Sequence, residues 1–398
     1  MNVLLINYEY PPIGGGAATA TAAIAGHLAS LGHAVTVLTS KYRDLKGEIS
    51  EGEVRVIRCP AIRKFPDRSG ILEMLSFLVS AGLMLSSLIR RHRIEASIVF
   101  FSFPCGPLGL WGLKSESVPY VISLRGGDVP GNEAALNNLH RLLAPLRRLI
   151  FRRSVGVIAN SPGLKEMSER ADPFPIQVIP NGVNTDFFFP DQQCCDLTHK
   201  LFSFLFVGRF QTQKNLFYLL DHAAVLKRSA AEPFVLNIVG DGPQRDELHN
   251  HAAKLGIDDC VVWHGWVDKD RLRKIYWGAD CFVNPSLYEG MPNVVLEAMA
   301  CSLPVIASRV HGNDAVVRHG ETGWLFDLND PDAFWTALWK MMADPGQASE
   351  MGKKGRSWVM NDFSWRKVAQ AYANLFSGAA GGAPPKRAPR TGADQPPA

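Results

Sequence analysis

The chain has 398 residues, 46% hydrophobic and 20% charged, with 35 Gly and 26 Pro scattered along it. That length suits two or three domains with sizeable cores, and the composition excludes collagen-like, wholly disordered and disulfide-miniprotein classes. The net charge of +4 is uneven: residues 1–185 hold 20 Lys/Arg against 14 Asp/Glu, or +6, and residues 186–398 hold 22 against 24, or −2, so an anionic partner is expected on the first half.

Met1 through Ile6 has no basic residue ahead of its short apolar run and passes straight into Asn7, Tyr8 and Glu9. It reads as a buried strand and not as a signal peptide. Asn2–Asn7, the Pro/Gly turn Tyr8–Gly16, the Ala/Leu-rich Ala17–Leu31, Gly32 as helix terminator and the β-branched Ala34–Leu38 make a βαβ unit. Ile71–Ile89 is 19 residues long between clusters of Arg and Lys, and contains Glu73 and four Ser. A charge inside a membrane span costs about 2.5–3.5 kcal/mol, so a helix packed on the sheet, one touching a membrane surface and a true span all stay open. Apolar runs at Ser97–Phe101, Tyr120–Ser123, Val155–Ala159 and Gln177–Ile179 alternate with helical stretches, as in a doubly wound parallel sheet. The pattern lapses around Asp186–Lys200. A second series follows with Phe202–Val207, Phe234–Val239, Val261–Trp263, Cys281–Asn284 and Pro304–Ala307. The expected division is residues 1–186 with a returning helix at about 362–377, residues 187–361, and a Gly/Ala/Pro-rich disordered tail at 378–398. Seven cysteines form no CxxC pair and no disulfide framework, which fits a reducing, cytoplasmic setting.

Chemistry-bearing residues cluster behind the strands. Gly14, Gly15 and Gly16 precede the first helix, whose N-terminal amides can take a phosphate; a tight turn alone is the bland alternative. The triplet is not GxGxxG and the second strand ends without an acid, so a dinucleotide site is disfavoured. Arg209 and Lys214, five residues apart at the end of the second series' first strand, suit a diphosphate or are solvated cations. Glu289 and Glu297 flank Gly290, Met291, Pro292 and Asn293; carboxylates beside a phosphate site make sense as acceptors for sugar hydroxyls, unless both are merely solvated.

Together these motifs resemble the retaining GT-B glycosyltransferases of family 4, which use nucleotide-diphosphate sugars. The resemblance runs from Val3 to about Phe376. It rests on the Pro-Pro-x-x-Gly-Gly loop, Ile179–Phe187, Gly208-Arg209 to Lys214-Asn215, Gly240–Pro243, and the Glu289 to Glu297 element followed by Pro304–Ser308. It implies two Rossmann-like domains facing across a cleft, the first for the acceptor and the second for the donor. Arg209 and Lys214 would hold the diphosphate, Glu297 the ribose hydroxyls, and Glu289 with Gly290–Asn293 the transferred sugar, while Gly15 and Gly16 close from the first domain. Such a site requires no metal or cofactor.

Two departures stand out. Arg125 occupies the loop position where the family usually offers a His, and an Arg is no base at neutral pH. Ser302 stands where Gly is frequent. Asp128 is expected either to contact a sugar hydroxyl or to pair with Arg125. His264, in Trp263–Val267, is either a base-contacting residue or a core one. The helix His140–Arg153 has five Arg and no acid, which reads as a solvated face or as a surface for a membrane or an anionic acceptor. The expected partners are a UDP- or GDP-linked sugar and a glycan or lipid-linked acceptor, with peripheral membrane contact and no nucleic acid. An epimerase of the same architecture and a non-catalytic nucleotide-sugar sensor are the alternatives.

Overall fold

The computed structural model describes residues 1–66, 69–132, 136–191, 201–229, 232–330 and 332–377; the expected tail and Cys194 and Cys195 lie outside them. In chain order the first half forms β1 (Asn2–Ile6), α1 (Gly16–Ser30), β2 (Ala34–Ser40), β3 (Gly47–Glu51), β4 (Val54–Cys59), α2 (Ile71–His92), β5 (Ala96–Phe100), α3 (Gly106–Glu116), β6 (Tyr120–Ser123), α4 (Asn137–Arg153), β7 (Gly156–Ala159), α5 (Pro162–Ala171) and β8 (Ile176–Val178). These strands make one sheet in the order β3-β4-β2-β1-β5-β6-β7-β8, parallel except for the β3–β4 hairpin. Val3 to Ile6 are at most 1% exposed, because helices cover both faces of the sheet. Right-handed crossovers put α1 on one face, where the chain steps from β1 outward to β2. They put α2 to α5 on the other, where it steps in the opposite direction.

The second half adds β9 (Phe202–Val207), α6 (Leu216–Ser229), β10 (Phe234–Val239), α7 (Arg245–Leu255), β11 (Val261–Gly265), α8 (Lys269–Trp277), β12 (Cys281–Asn284), α9 (Asn293–Ala300), β13 (Val305–Ser308), α10 (His311–Asp314), β14 (Gly323–Phe326), α11 (Ala333–Ala343), α12 (Pro345–Asp362) and α13 (Trp365–Ser377). Its sheet runs β11-β10-β9-β12-β13-β14, all parallel. The last helix does not stay with it: Trp365, Val368, Ala369, Tyr372, Ala373 and Phe376 of α13 are buried in the first core, against α1. The two chain crossings lie side by side. Val183 N–H donates to Phe363 O at 2.8 Å, and a Cβ on Gly182 would strike the backbone of Trp365.

The β3–β4 hairpin and β14 are additions to the expected strands. Arg55 and Arg58 interrupt the apolar run of β4, yet Arg58 is buried, its guanidinium donating to Pro11 O at 2.6 Å and lying over the Tyr10 ring. Ser302 has φ +65°, at the residue after the α9 cap. Leu303 N–H bonds Ala298 O and Ser302 N–H bonds Met299 O, the double closure that calls for a left-handed residue and so favours Gly there. The Arg-rich helix begins three residues earlier than expected and is not free of acids around it. Asp172 takes Arg147 at 2.5 Å and Arg148 at 2.6 Å, and Arg147 is buried.

Candidate active site

Both sheets turn the carboxyl ends of their strands toward one cleft, the place where open α/β sheets bind ligands. A cavity of 380 Å³ there is lined from the first core by Glu9, Gly15, Gly16, Arg125 and Asn160, and from the second by Arg209, Lys214 and Tyr288 through Val294. An adjoining cavity of 690 Å³ lies over the ends of β9, β10 and β11, lined by Gly208, Arg209, Gly240 to Pro243, Trp266, Val267 and Leu272, with Gly14 and Pro66 facing them. Arg209 belongs to both.

Local sequence explains the walls. After β1 the chain must turn sharply into α1. Gly14 sits at φ +94°, where a Cβ would also meet Glu9 at 2.6 Å. Gly15 caps α1 with no side chain, leaving the helix N-terminus open to an anion. Gly240, at φ +136°, is pressed against the Gly208 carbonyl, which only a residue without Cβ permits. On the far wall Pro292 caps α9, a second helix N-terminus aimed at the cleft.

Glu289 is 8% exposed; its Oε1 accepts from Lys214 Nζ at 2.5 Å and from Ser286 Oγ at 2.7 Å. Below it Ser286 Oγ lies 2.9 Å from Asn284 Oδ1, and Asn284 Nδ2 donates to Asn313 Oδ1, a buried polar bed that holds one orientation of the carboxylate. Across the cleft a hydrogen-bond chain joins two loops and the starts of α9 and α1. Arg125 Nη1 donates to Asn181 Oδ1 at 2.7 Å, Asn181 Nδ2 to Asn293 Oδ1 at 2.8 Å, and Asn293 Nδ2 to Gly16 O at 3.3 Å. Arg125 also lies over the Phe100 ring and reaches the Tyr372 hydroxyl at 3.4 Å, which is itself held by Ser123 Oγ at 2.7 Å. Burial pulls the Arg125 pKa down, opposed by Tyr372 and Asp128.

Three expected site residues, Asp128, His264 and Glu297, are not among the residues lining either cavity. Asp128 makes no ion pair with the Arg125 side chain and lines neither cavity; its buried carboxylate accepts the amides of Ser102, Arg125 and Gly126 at 2.6, 2.9 and 3.1 Å, which shapes the Arg125 loop. One ring nitrogen of His264 is taken by Asn237 Oδ1 at 2.8 Å, and it is Trp266, 78% exposed, that faces the larger cavity. Burial holds the His264 pKa low, with Arg271 adding to the effect. Glu297 lies one turn beyond Asn293 and Val294 on α9, half-buried at the edge of the lining, where its carboxylate accepts the Tyr276 hydroxyl at 3.2 Å. Burial pushes its pKa up to about 7.

Three further polar lining residues have no role legible in the sequence; Glu9 and Asn160 lie outside every motif, and Asn181 lies within the Ile179–Phe187 motif. Glu9 accepts Gly15 N–H at 3.4 Å and pairs with Arg63 at 3.6 Å; burial raises its pKa against the pull of Arg63. Asn181 is the hub of the cross-cleft chain. Asn160 follows β7 directly, is 4% exposed, and its Oδ1 has no hydrogen-bond partner among the described residues.

Family models match two adjoining stretches, Glycosyltransferase Family 4 over residues 14–187 and Glycosyl transferases group 1 over residues 196–358. Alpha-maltose-1-phosphate synthase of Mycolicibacterium smegmatis is 30% identical over 288 residues, 65% of this chain and 73% of that protein. The chain belongs to glycosyltransferase family 4. The GDP-mannose-dependent alpha-(1-6)-phosphatidylinositol monomannoside mannosyltransferase of the same organism is 26% identical over 398 residues, 94% of this chain and 98% of that one. Sucrose-phosphate synthase from Thermosynechococcus elongatus superposes with a TM-score of 0.83 at 24% identity, covering 96% of this chain and 99% of the other, so the fold is GT-B. The protein is thus a glycosyltransferase, and the cleft between its two sheets is the candidate active site of that enzyme.

Proposed function

We propose that this glycosyltransferase moves the sugar of a UDP- or GDP-linked donor onto a glycan or lipid-linked acceptor with retention at the anomeric carbon, at the cytoplasmic face of a membrane. The observation that carries the reading is the meeting of Arg209, Lys214 and the open N-termini of α1 and α9 in one cavity with the buried Glu289. The base is assigned to the cavity under Trp266, the ribose to Glu297, and the diphosphate to Arg209, Lys214 and the two helix N-termini. The transferred sugar is assigned to Glu289, the Gly290–Asn293 backbone and Asn160. In this scheme the bond from the anomeric carbon to the phosphate oxygen breaks as the bond to the acceptor oxygen forms on the same face. The departing diphosphate takes the acceptor proton. Arg125 then needs no basic character and serves as a fixed cation beside the sugar.

Thermal unfolding with UDP, GDP, ADP and their sugar conjugates tests the donor. A ligand at 100 times its Kd adds about 2.7 kcal/mol, a shift of several degrees. A shift confined to one base names the donor class. Incubating that donor with membrane lipid extract then tests the reaction: a new glycoside of unchanged anomeric configuration supports the reading, whereas an inverted product, a free epimer or no shift with any nucleotide overturns it.

A further inference from the structure

We propose that the outer surface of α2, α3 and α4 is a docking face for an anionic lipid bilayer. The three helices lie side by side on the face of the first sheet opposite α1 and α13, α3 packing between the other two. α2 is, among the described residues, the one helix long and apolar enough to cross a membrane, and only 28% of its apolar window is buried. Phe77, Ala81, Leu85, Leu88 and Ile89 lock its inner side into the first core, which excludes a span. Its outer side nonetheless presents Leu72, Val79 and Leu83, at 78%, 63% and 83% exposure, in one line. Trp111 of α3 and Leu142 of α4 add 54% and 77% beside them. An apolar surface spread over three neighbouring helices is more than the scattered exposed Leu of an ordinary protein surface.

Charge selects the occupant. Arg90 and Arg91 end α2, pairing with Glu116 and Glu48 at 2.7 and 3.7 Å, and Arg152 and Arg153 end α4 at the same edge of the layer. The acids on these helices are withdrawn: Glu73 is turned back onto the amides of Lys64 and Gly70 at 2.6 and 2.5 Å, Glu116 is held by Arg90 at 2.7 Å, and α4 has none over its described length. Arg141, Arg152 and Arg153 form no ion pair among the described residues. The unpaired charges of this face, Arg141, Arg152 and Arg153, are all positive, and a symmetric contact with a second copy would set them against like charges. The face does match a leaflet of anionic headgroups, into whose interface the Leu and Trp side chains sink while the Arg side chains stay at the phosphates. Pro66, four residues ahead of the α2 cap, lines the larger cavity, so the apolar end of the face adjoins the cleft mouth. The inference rests on exposure and charge and stands whether or not the donor assignment holds.

Sedimentation of the full chain with phosphatidylcholine vesicles, alone or mixed with phosphatidylglycerol, tests it. The protein is expected to bind the anionic vesicles preferentially, with binding weakened by salt. Each surface Arg contributes about five-fold, so Arg152→Glu/Arg153→Glu lowers partitioning by about twenty-five-fold or more. Leu83→Glu also lowers it. These side chains are exposed, so the unfolding temperature of each variant should equal that of the wild type, which separates lost docking from lost fold. Equal binding to both vesicle types, no binding to either, or binding unmoved by these substitutions overturns the proposal. So does a lipid-free dimer that Leu83→Glu dissolves, which would give the face to a second copy.

Discussion

Glu297 offers the most discriminating perturbation, because under the proposed ribose assignment its protonation acts on nucleotide binding and on folding with opposite signs. Its pKa is raised from 4.5 to about 7, chiefly by burial, against the Tyr276 hydrogen bond and the Lys269 charge. If the ionised carboxylate accepts the ribose hydroxyls, donor affinity falls on acidification by the fraction protonated, about thirty-fold between pH 8 and pH 5.5, or about 2 kcal/mol. Folding runs the other way. The folded chain holds the proton more tightly than the unfolded one, so this group's contribution is fully present below pH 4.5 and is lost as pH rises through 7, at most about 3 kcal/mol. Glu297→Gln fixes the neutral form. It should raise the unfolding temperature at pH 8 while weakening the donor by the loss of a charge-assisted acceptor, about ten-fold or more. Calorimetric titration with an intact nucleotide sugar, whose diphosphate does not titrate in this range, reads both proteins from pH 5.5 to 8. The ratio of their affinities cancels the contribution of His264. A ratio that does not change with pH, or a Gln variant binding as tightly at pH 8, refutes the ribose assignment.

Removing Lys214 as Lys214→Met strands the Glu289 carboxylate in a buried site, a cost of about 3–5 kcal/mol of stability if it stays charged; restored stability in Lys214→Met/Glu289→Gln, measured by urea unfolding, shows that the pair and not the Lys alone is responsible. Asp128→Ala leaves three loop amides without their acceptor and should cost about 3 kcal/mol or more in the same assay, with activity lost through the Arg125 loop; an unaffected fold would contradict its structural role. Asn160→Ala removes an unpaired acceptor from the part of the cleft proposed for the sugar, so turnover should fall by about ten-fold while UDP or GDP affinity is unchanged, as kinetics and calorimetry together would show. Ser302→Gly relieves a left-handed Ser and should stabilise by about 1 kcal/mol, read as a rise of about 2–4 °C in unfolding temperature.

Much of this site is legible in the chain because each element announces itself locally. An apolar run followed by Gly15-Gly16, Gly208-Arg209 or Glu289–Asn293 marks a strand end and the loop on it, and the fold brings strand ends together. Residues whose role comes from distant partners carry no such mark. Ser102, which donates to Asp128, is 26 residues away from it, and nothing in their spacing tells that Asp128 serves backbone amides instead of sugar or Arg125. Asp172 neutralises Arg147 and Arg148 from beyond the following helix, so a count confined to α4 overstates its free charge. β4 is hidden for a related reason: Arg58 looks like a surface residue until Pro11 and Tyr10 supply its partners. Glu9 and Asn160 are single polar residues after strands, common in any α/β protein, and only the cavity singles them out; Asn181 lies in a recognisable motif, but its partners Arg125 and Asn293 are 56 and 112 residues away.

The return of α13 to the first core means that the enzyme's halves cannot be separated by one cut. Cleavage near residue 186 would leave the N-terminal sheet without six buried side chains, among them Trp365 and Phe376, and would take the Tyr372 hydroxyl away from Arg125. A viable N-terminal half needs α13 supplied in trans or spliced on behind Val183, where the two crossings already touch. Chimeras that exchange C-terminal halves between relatives therefore need two junctions, one at each crossing, and the residues from about 187 to 361 between them are the transplantable unit.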